Sequence, residues 1–415
     1  MKKIILLFLT LTAFSGVSFS QWSIQYTSSP SQTVMSLKFF DVNTGYHSGI
    51  LYSGSTMNIY KTTNGGVNYV AQNSNFTSQR FMSIFMLHPD TVFISGNYGK
   101  ILRTVNGGNN WIVQYSDTSL QFWGLFFVNS NTGFVSGSNG RIMKTTNKGD
   151  NWIIQATPTS TALDGIYFIN ETTGYVGGAN IFLKTTDAGQ TWINKVGSFI
   201  SPFETAQSVY FSDANTGIYS TNAARIVRTT DGGDTWNLVY STTSGGAVWG
   251  LAFPTPLTGY GCTNVGTVLR TTDGGLNWIQ QSTPLTENLY EISFPTVNTG
   301  YISTWSGKIL KTTNGGATYI NNTNKNIPEK YSLSQNYPNP FNPSTNIKFS
   351  IKKPGFTTLK VYNALGKEER LLVNDFLEAG EFETMFDGGK LSSGLYFYKI
   401  TTGNFTDTKK MLMIK

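Results

Sequence analysis

A nine-residue segment recurs seven times along this 415-residue chain, and its spacing constrains the fold more than any other feature. The first copy is Lys61-Thr62-Thr63-Asn64-Gly65-Gly66-Val67-Asn68-Tyr69, and its equivalents start at Arg103, Lys144, Lys184, Arg228, Arg270 and Lys311. Intervals of 42, 41, 40, 44, 42 and 41 residues mark one duplicated unit. Periods in this range belong to solenoids, propellers and arrays. Each unit opens with an apolar alternation such as Leu125-Phe126-Phe127, followed by a turn, often Asn-Thr-Gly as at Asn131-Thr132-Gly133. A second short strand such as Phe134-Val135-Ser136 leads through another turn to a third strand ending in Lys/Arg-Thr, and the repeated segment then turns into a fourth. Four short antiparallel strands per unit make one propeller blade. The predicted fold is therefore all-β, a seven-bladed β-propeller over residues 21–325, which leaves no long sheet edge open. Trp22-Ser23-Ile24-Gln25 repeats the fourth-strand pattern of Trp111-Ile112-Val113-Gln114 without a hairpin before it. That orphan is expected to complete the last blade, whose own Tyr319-Ile320 runs into a polar, Asn-rich stretch.

Composition agrees and excludes several function classes. Forty-three Gly, 28 Phe, 21 Tyr and 9 Trp with only 13% charged residues suit strands joined by tight turns around aromatic cores. Cys262 is the only cysteine, so no intrachain disulfide forms, and a small buried thiol is expected. The net charge of +7 is spread thinly: residues 21–330 carry +2 and residues 331–415 carry +3. Seven of the propeller cations recur at the position that opens each repeated segment, where they read as solvated strand ends. No basic stripe exists, which excludes a nucleic-acid partner. At the N-terminus, Lys2 and Lys3 precede an apolar run from Ile4 to Leu11, and Ser18-Phe19-Ser20 supplies small residues at the cleavage positions. Residues 1–20 thus read as a secretory signal peptide cleaved before Gln21, with no cysteine for a lipid anchor.

The repeated hairpin resembles the Asp-box, or BNR repeat, Ser/Thr-x-Asp-x-Gly-x-Thr-Trp. Asn64, Asn106, Asn147, Asp187, Asp231, Asp273 and Asn314 hold its acidic position, where a side-chain oxygen can accept from turn amides. Gly66 and its equivalents are expected to supply positive φ, and Trp111, Trp152, Trp192, Trp236 and Trp278, with Tyr69 and Tyr319, to pack between sheets. Asp-box propellers include sialidases, glucan hydrolases, sorting receptors and the photosystem II assembly-factor family. A box in every blade with the Asn-Thr-Gly turn upstream most resembles the last, over residues 30–325. The resemblance implies that the boxes are structural and peripheral, and that the propeller is a binding scaffold rather than an enzyme.

A search for catalytic chemistry leaves little. Arg103, Arg228 and Arg270 occupy the repeated cation position, and none of Arg80, Arg141 and Arg225 sits in a Phe/Tyr-Arg-Ile-Pro segment, so the arginine cluster of a sialidase is missing. His47 and His88 are the only histidines, and no His-Glu-x-x-His, Gly-x-Ser-x-Gly or P-loop occurs. No catalytic residue, metal or cofactor is assigned. Aligning the units places Met35, Met82, Trp123, Asp164, Gln207, Trp249 and Tyr290 at one site, the start of the innermost strand, with Glu291 beside the last. This ring varies where the core position two residues later stays aliphatic. It is the candidate ligand site, aromatics stacking on a glycan or protein ligand and Asp164 and Glu291 accepting hydrogen bonds. The alternative is an extracellular glycan-active hydrolase, sialidase-like or glucanase-like, for which two carboxylates across the channel would be required.

Asn322–Pro328 breaks the repeat, and residues 326–335 read as a linker. Beyond it, residues 336–415 predict a small Ig-like β-sandwich with strands at 346–351, 358–362, 382–386, 395–400 and 410–414. Its ordered motifs are Tyr337-Pro338-Asn339-Pro340-Phe341, Val361-Tyr362-Asn363-Ala364-Leu365-Gly366, Leu391-Ser392-Ser393-Gly394-Leu395-Tyr396 and a final Lys409-Lys410-Met411-Leu412-Met413-Ile414-Lys415. These resemble the type A C-terminal sorting domain of the type IX secretion system. The resemblance implies passage through the periplasm to the outer-membrane surface or beyond, with the secretion machinery as partner. It also implies tail removal, with the cargo released or linked to lipopolysaccharide.

Overall fold

A computed structural model of the chain describes residues 22–29, 32–51, 57–72, 80–195, 204–242, 246–281, 283–316, 320–324, 327–377, 379–389 and 391–415. The signal-peptide segment 1–20 and Tyr319 lie outside these residues. Two compact units divide the chain, residues 21–317 and a unit containing residues 318–415.

The first unit consists of seven four-stranded antiparallel sheets. Their innermost strands are Gln32–Phe39, Phe81–His88, Phe122–Phe127, Leu163–Phe168, Ala206–Phe211, Val248–Ala252 and Leu289–Ser293, which number blades 1 to 7. Six blades use four consecutive strands. In the seventh, Ser23–Thr27 takes the outer position and pairs antiparallel with Lys308–Thr312, so the N-terminal strand closes the ring.

Trp22 shows how complete this substitution is. In blades 3 to 6 the box tryptophan packs edge-on against the phenylalanine that ends or directly follows its own inner strand: Trp152 on Phe127, Trp192 on Phe168, Trp236 on Phe211 and Trp278 on Phe253. Centroid separations are 6.0–6.1 Å with ring planes 84–88° apart. Trp22 meets Phe294 of blade 7 at 5.7 Å and 90°, fully buried. Its Nε1 donates to Gln281 Oε1 (3.0 Å), and Gln281 Nε2 donates to the Gly316 carbonyl (2.6 Å), which joins blade 6 to the last hairpin.

The hairpins hold each blade and its neighbour. Within a box, the threonine at the strand end donates to the acidic-position oxygen and accepts from a glycine amide: Thr62 Oγ1 bonds Asn64 Oδ1 at 3.0 Å and receives Gly66 N at 3.0 Å. Gly66 and its six equivalents have φ between 62° and 91°, a region that costs a Cβ-bearing residue about 1 kcal/mol or more. In all seven blades an amide of the hairpin also donates to a carbonyl of the turn that follows the inner strand, as Gly65 N does to Asn43 O (2.9 Å). The hairpins therefore sit at the end of the channel where the inner strands finish.

The recurrent cations depart from expectation, because they are not solvated strand ends. Six of the seven reach the hairpin of the next blade: Lys61 Nζ donates to Gly107 O (3.0 Å), Arg103 to Lys148 O (2.6 Å), Lys144 to Ala188 O (2.8 Å), Lys184 to Gly232 O (2.8 Å) and Arg228 to Gly274 O (2.9 Å). Lys311 Nζ makes the same bond to Gly65 O (3.1 Å) across the seam between blades 7 and 1. An aromatic ring at the second strand lies under several of these cations, as Tyr301 does under Lys311 at 5.2 Å. The sequence could not show this because the acceptor is a main-chain carbonyl some 45 residues away.

The C-terminal unit is a sandwich of two four-stranded sheets. One holds Ile320–Asn324, Gly380–Asp387, Ser344–Ile351 and Ser332–Leu333 in that order. The other holds Glu368–Leu377, Gly355–Asn363, Gly394–Thr402 and Phe405–Met413. Its core includes Phe341, Ile347, Phe349, Leu359, Val361, Phe386, Tyr398 and Met411. Two expectations are corrected here. Ile320–Asn324, placed in the propeller by the sequence reading, pairs with Gly380–Asp387, since the edge it would have occupied in blade 7 is taken by Ser23–Thr27. Ser332–Leu333 pairs with Ser344–Ile351, so part of the supposed linker is strand.

Replacing Trp22 with Ala should lower the unfolding free energy by about 3 kcal/mol, the usual cost of removing a buried aromatic. An unchanged urea midpoint for Trp22→Ala would show that the N-terminal strand does not close the ring.

Candidate functional site

All seven inner strands carry a β-bulge at the same place. Their registers shift between Val34 and Ser36, Phe81 and Ser83, Phe122 and Gly124, Leu163 and Ile166, Ala206 and Ser208, Val248 and Gly250, and Leu289 and Ile292. The released residues are Met35, Met82, Trp123, Asp164, Gln207, Trp249 and Tyr290, the variable ring singled out by repeat alignment. A bulge frees a residue from the ladder and re-aims its side chain, and such features collect at rims and beside active sites. All seven side chains are partly buried and line one cavity of about 640 Å³ that the seven inner strands enclose. The ring stands at the starts of these strands, and hence at the end of the channel opposite the hairpins.

In blades 4 and 7 the ladder resumes one residue later, at Ile166 and Ile292, although each bulge still inserts a single extra residue as in the other blades. Glu291 does not extend the ring itself. It occupies the following position, where the other blades have Ser36, Ser83, Gly124, Gly165, Ser208 and Gly250. Those residues are small because neighbouring inner strands are close: a Cβ on Gly165 would lie 2.6 Å from the Gln207 carbonyl. Glu291 thus stands at the seam with blade 1, its amide donating to Ser303 Oγ (3.1 Å).

The two carboxyls differ in surroundings. Burial pushes Asp164 up to about 6, with no charged group contributing. Burial pushes Glu291 up to about 7, opposed by the Lys38 ammonium. Neither acid contributes to the shift of the other. Carboxyls about 5 Å apart, as a retaining glycosidase requires, would perturb one another strongly.

Aromatic side chains dominate the rest of the wall. Trp249 stacks on Tyr290 at 4.7 Å with planes 15° apart, and Trp305, 49% exposed, follows at 6.3 Å from Tyr290. Three residues beyond the ring a second belt of rings runs through four blades, Phe85, Phe126, Tyr167 and Tyr210, each 5.1–5.5 Å from the next. It is interrupted in blades 6, 7 and 1 by Ala252, Ser293 and the exposed Lys38, which all line the same cavity. Repeat alignment passes over Lys38, Trp305 and this belt. The belt does break its own pattern at Lys38, and that was the available signal. Among the described residues, no group of three or more His, Cys, Asp and Glu is placed to hold a metal ion.

The other sequence-selected residues serve turns and clips. Asp187 accepts from Thr191 N (2.8 Å) and Thr191 Oγ1 (2.6 Å), and these bonds hold its carboxyl down at about 2. Asp231 does the same with Thr235. Asp273 takes Asn277 N, and Asn64, Asn106 and Asn147 take the amides of Asn68, Asn110 and Asn151. Asn314 accepts from Gly316 N (3.1 Å). In the tail, Phe341 is buried against Phe386 while Tyr337 is 82% exposed. The Phe341 amide donates to Leu412 O (3.0 Å), Asn339 Oδ1 accepts from Leu412 N (2.9 Å), and the Pro338 carbonyl accepts from Thr345 Oγ1 (2.7 Å). The Pro340 segment is thereby clipped to the last strand.

Two family matches agree with this division. Residues 335–415 match the secretion system C-terminal sorting domain, and residues 106–249 and 147–283 match the photosynthesis system II assembly factor YCF48. The chain joins YCF48-like propeller repeats to a type IX secretion sorting domain. That tail marks it for the secreted or cell-surface space. Among solved structures, YCF48 bound to D1 peptide is similar at a TM-score of 0.59 and 18% identity, covering 72% of this chain and 98% of that one. YCF48 from Cyanidioschyzon merolae gives 0.55 and 19%, covering 70% and 98%. The WD40 propeller domain of Doa1 gives 0.55 and 11%, covering 71% and 97%. At these identities the likeness is one of fold. No curated protein matches the chain in sequence.

The acids give a signed stability prediction. Because the folded protein raises both pKa values, it binds extra protons between the unfolded and folded values, and stability falls as pH rises through that window. For Asp164 the window runs from its ordinary 3.8 to about 6. Asp164→Asn should therefore be more stable than the parent by about 2 kcal/mol at about pH 7.5, with the difference closing by about pH 4. Urea denaturation at the two pH values checks this, and a pH-independent difference would contradict it.

Proposed function

We propose that this protein is an exported binding propeller that holds a polypeptide segment of an extracellular partner in the ring mouth of its channel. The observation that carries the reading is the seven-fold bulge: a costly backbone irregularity, repeated at one site, that presents five kinds of side chain at seven positions while the framework around it hardly varies. Aromatic faces, one amide and carboxylate oxygens in a concave site are what peptide recognition needs. A propeller of the same fold has been solved with a peptide bound, which supports a peptide over other ligands. Delivery follows from the tail, with the secretion machinery as the first partner and release or lipopolysaccharide linkage as the last step.

Two measurements test these halves. Trp123→Ala combined with Trp249→Ala should weaken capture of peptides from a random library by at least tenfold, roughly 1.4 kcal/mol, with the melting temperature changed little. Undiminished capture would move the site elsewhere. Separately, a chain lacking residues 331–415 should accumulate in the periplasm, and its continued delivery to the surface would refute export by the tail.

A further inference from the structure

Chemically, the ring is one-sided. No blade places a basic residue at the bulge, and the Asp164 carboxylate has no hydrogen-bond or ion-pair partner among the described residues, although its main-chain carbonyl accepts from Ser136 Oγ (2.6 Å). The same cavity is lined by Trp123 from the preceding blade, the stacked Trp249–Tyr290 pair and the thioethers of Met35 and Met82. The cavity as a whole holds two carboxylates against one ammonium, Lys38.

We infer that the channel mouth takes a lysine or arginine side chain of the bound polypeptide, its cationic head against Asp164 in a cavity that Trp123, Trp249 and Tyr290 also line. This rests on reading the mouth as the binding site. A desolvated carboxylate without a counter-charge is half of an ion pair, and an incoming cation regains Coulomb energy in a site where water screens weakly. Indole and phenol faces attract the same cation through their quadrupoles, and the partly buried setting strengthens that attraction. A neutral ligand would satisfy the oxygens of Asp164 but leave its charge uncompensated, and an acidic one would be repelled. The cavity is much larger than an ammonium group, which fits a side chain delivered by a longer chain.

The pH response follows from the groups around Asp164. The adjoining inner strands present Trp123 and Gln207 at the same level, neither of which titrates. The other titratable groups on the cavity wall are Tyr167 on the same strand, Tyr210, Tyr290, Glu291 and Lys38. Burial raises Tyr167 and Tyr210 further from neutrality and lifts Asp164 and Glu291 toward it, so both carboxyls change charge between about pH 5 and 8.

Three blocked pentapeptides that differ only at the central residue (lysine, norleucine or glutamate) test this by tryptophan fluorescence titration of the full chain. The lysine peptide should bind at least tenfold more tightly than norleucine at about pH 7.5, and glutamate should bind more weakly than both. The lysine preference should fade below about pH 6 and should be lost in Asp164→Asn, which folds with an undiminished melting temperature. If norleucine or glutamate binds as well as lysine, and Trp123→Ala weakens all three, the mouth remains the site and the cation is wrong. If no peptide binds, or none responds to Trp123→Ala and Trp249→Ala, both readings fall.

Discussion

The ring depends on one repeated contact, the hydrogen bond from a strand-end Lys or Arg to a hairpin carbonyl of the next blade. A propeller has no covalent closure, and its sheets pack on one another mainly through side chains, so something must fix the angle between them. The charge-assisted bond does this at the periphery, each worth about 1.5–3 kcal/mol in stability. It is oriented because the hairpin carbonyl is itself fixed by the box threonine, the acidic-position oxygen and a positive-φ glycine. Lys311 to Gly65 shows that the seam between blades 7 and 1 obeys the same rule as the others. Trp22 then packs on Phe294 of blade 7 as the box tryptophans of blades 3 to 6 pack on theirs, and the N-terminal strand does the work that a C-terminal one does elsewhere in the ring.

Because the periphery carries closure, the opposite end of the channel is released from it. The bulged residues make none of the clasp contacts, and the aliphatic position two residues later, Leu37 or Ile166 for example, keeps the blades packed. Substitution at the mouth therefore leaves the framework intact, and costly residues can persist there. Asp164 and Glu291 are held in environments that oppose their charge, which is a stability loss the fold has no reason to keep unless a ligand uses it.

Much of this was legible in the sequence, for physical reasons. Blade number, the hairpin positions and the orphan Trp22 strand are visible because duplication repeats local chemistry at a fixed spacing. The ring of Met35 to Tyr290 could be listed from alignment, but the bulge that aims it could not, since a register shift leaves no residue signature. The clasps were misread because a side chain's acceptor was a main-chain atom in another unit. In the tail, the strand Glu368–Leu377 was missed because Leu371-Leu372-Val373 interrupts a period of two between charged flanks. The fate of Ile320–Asn324 was hidden because it is decided by competition for an edge that a distant segment already fills.

The same separation runs through the whole chain: the boxes build, the tail exports and the mouth is the site we propose for binding. A crystal structure of the full chain with a peptide selected for binding from a random library tests that separation most directly. The account predicts the peptide seated in the channel mouth, between Trp123 and the Trp249–Tyr290 pair. A peptide lying instead along the hairpins or an outer strand would contradict it.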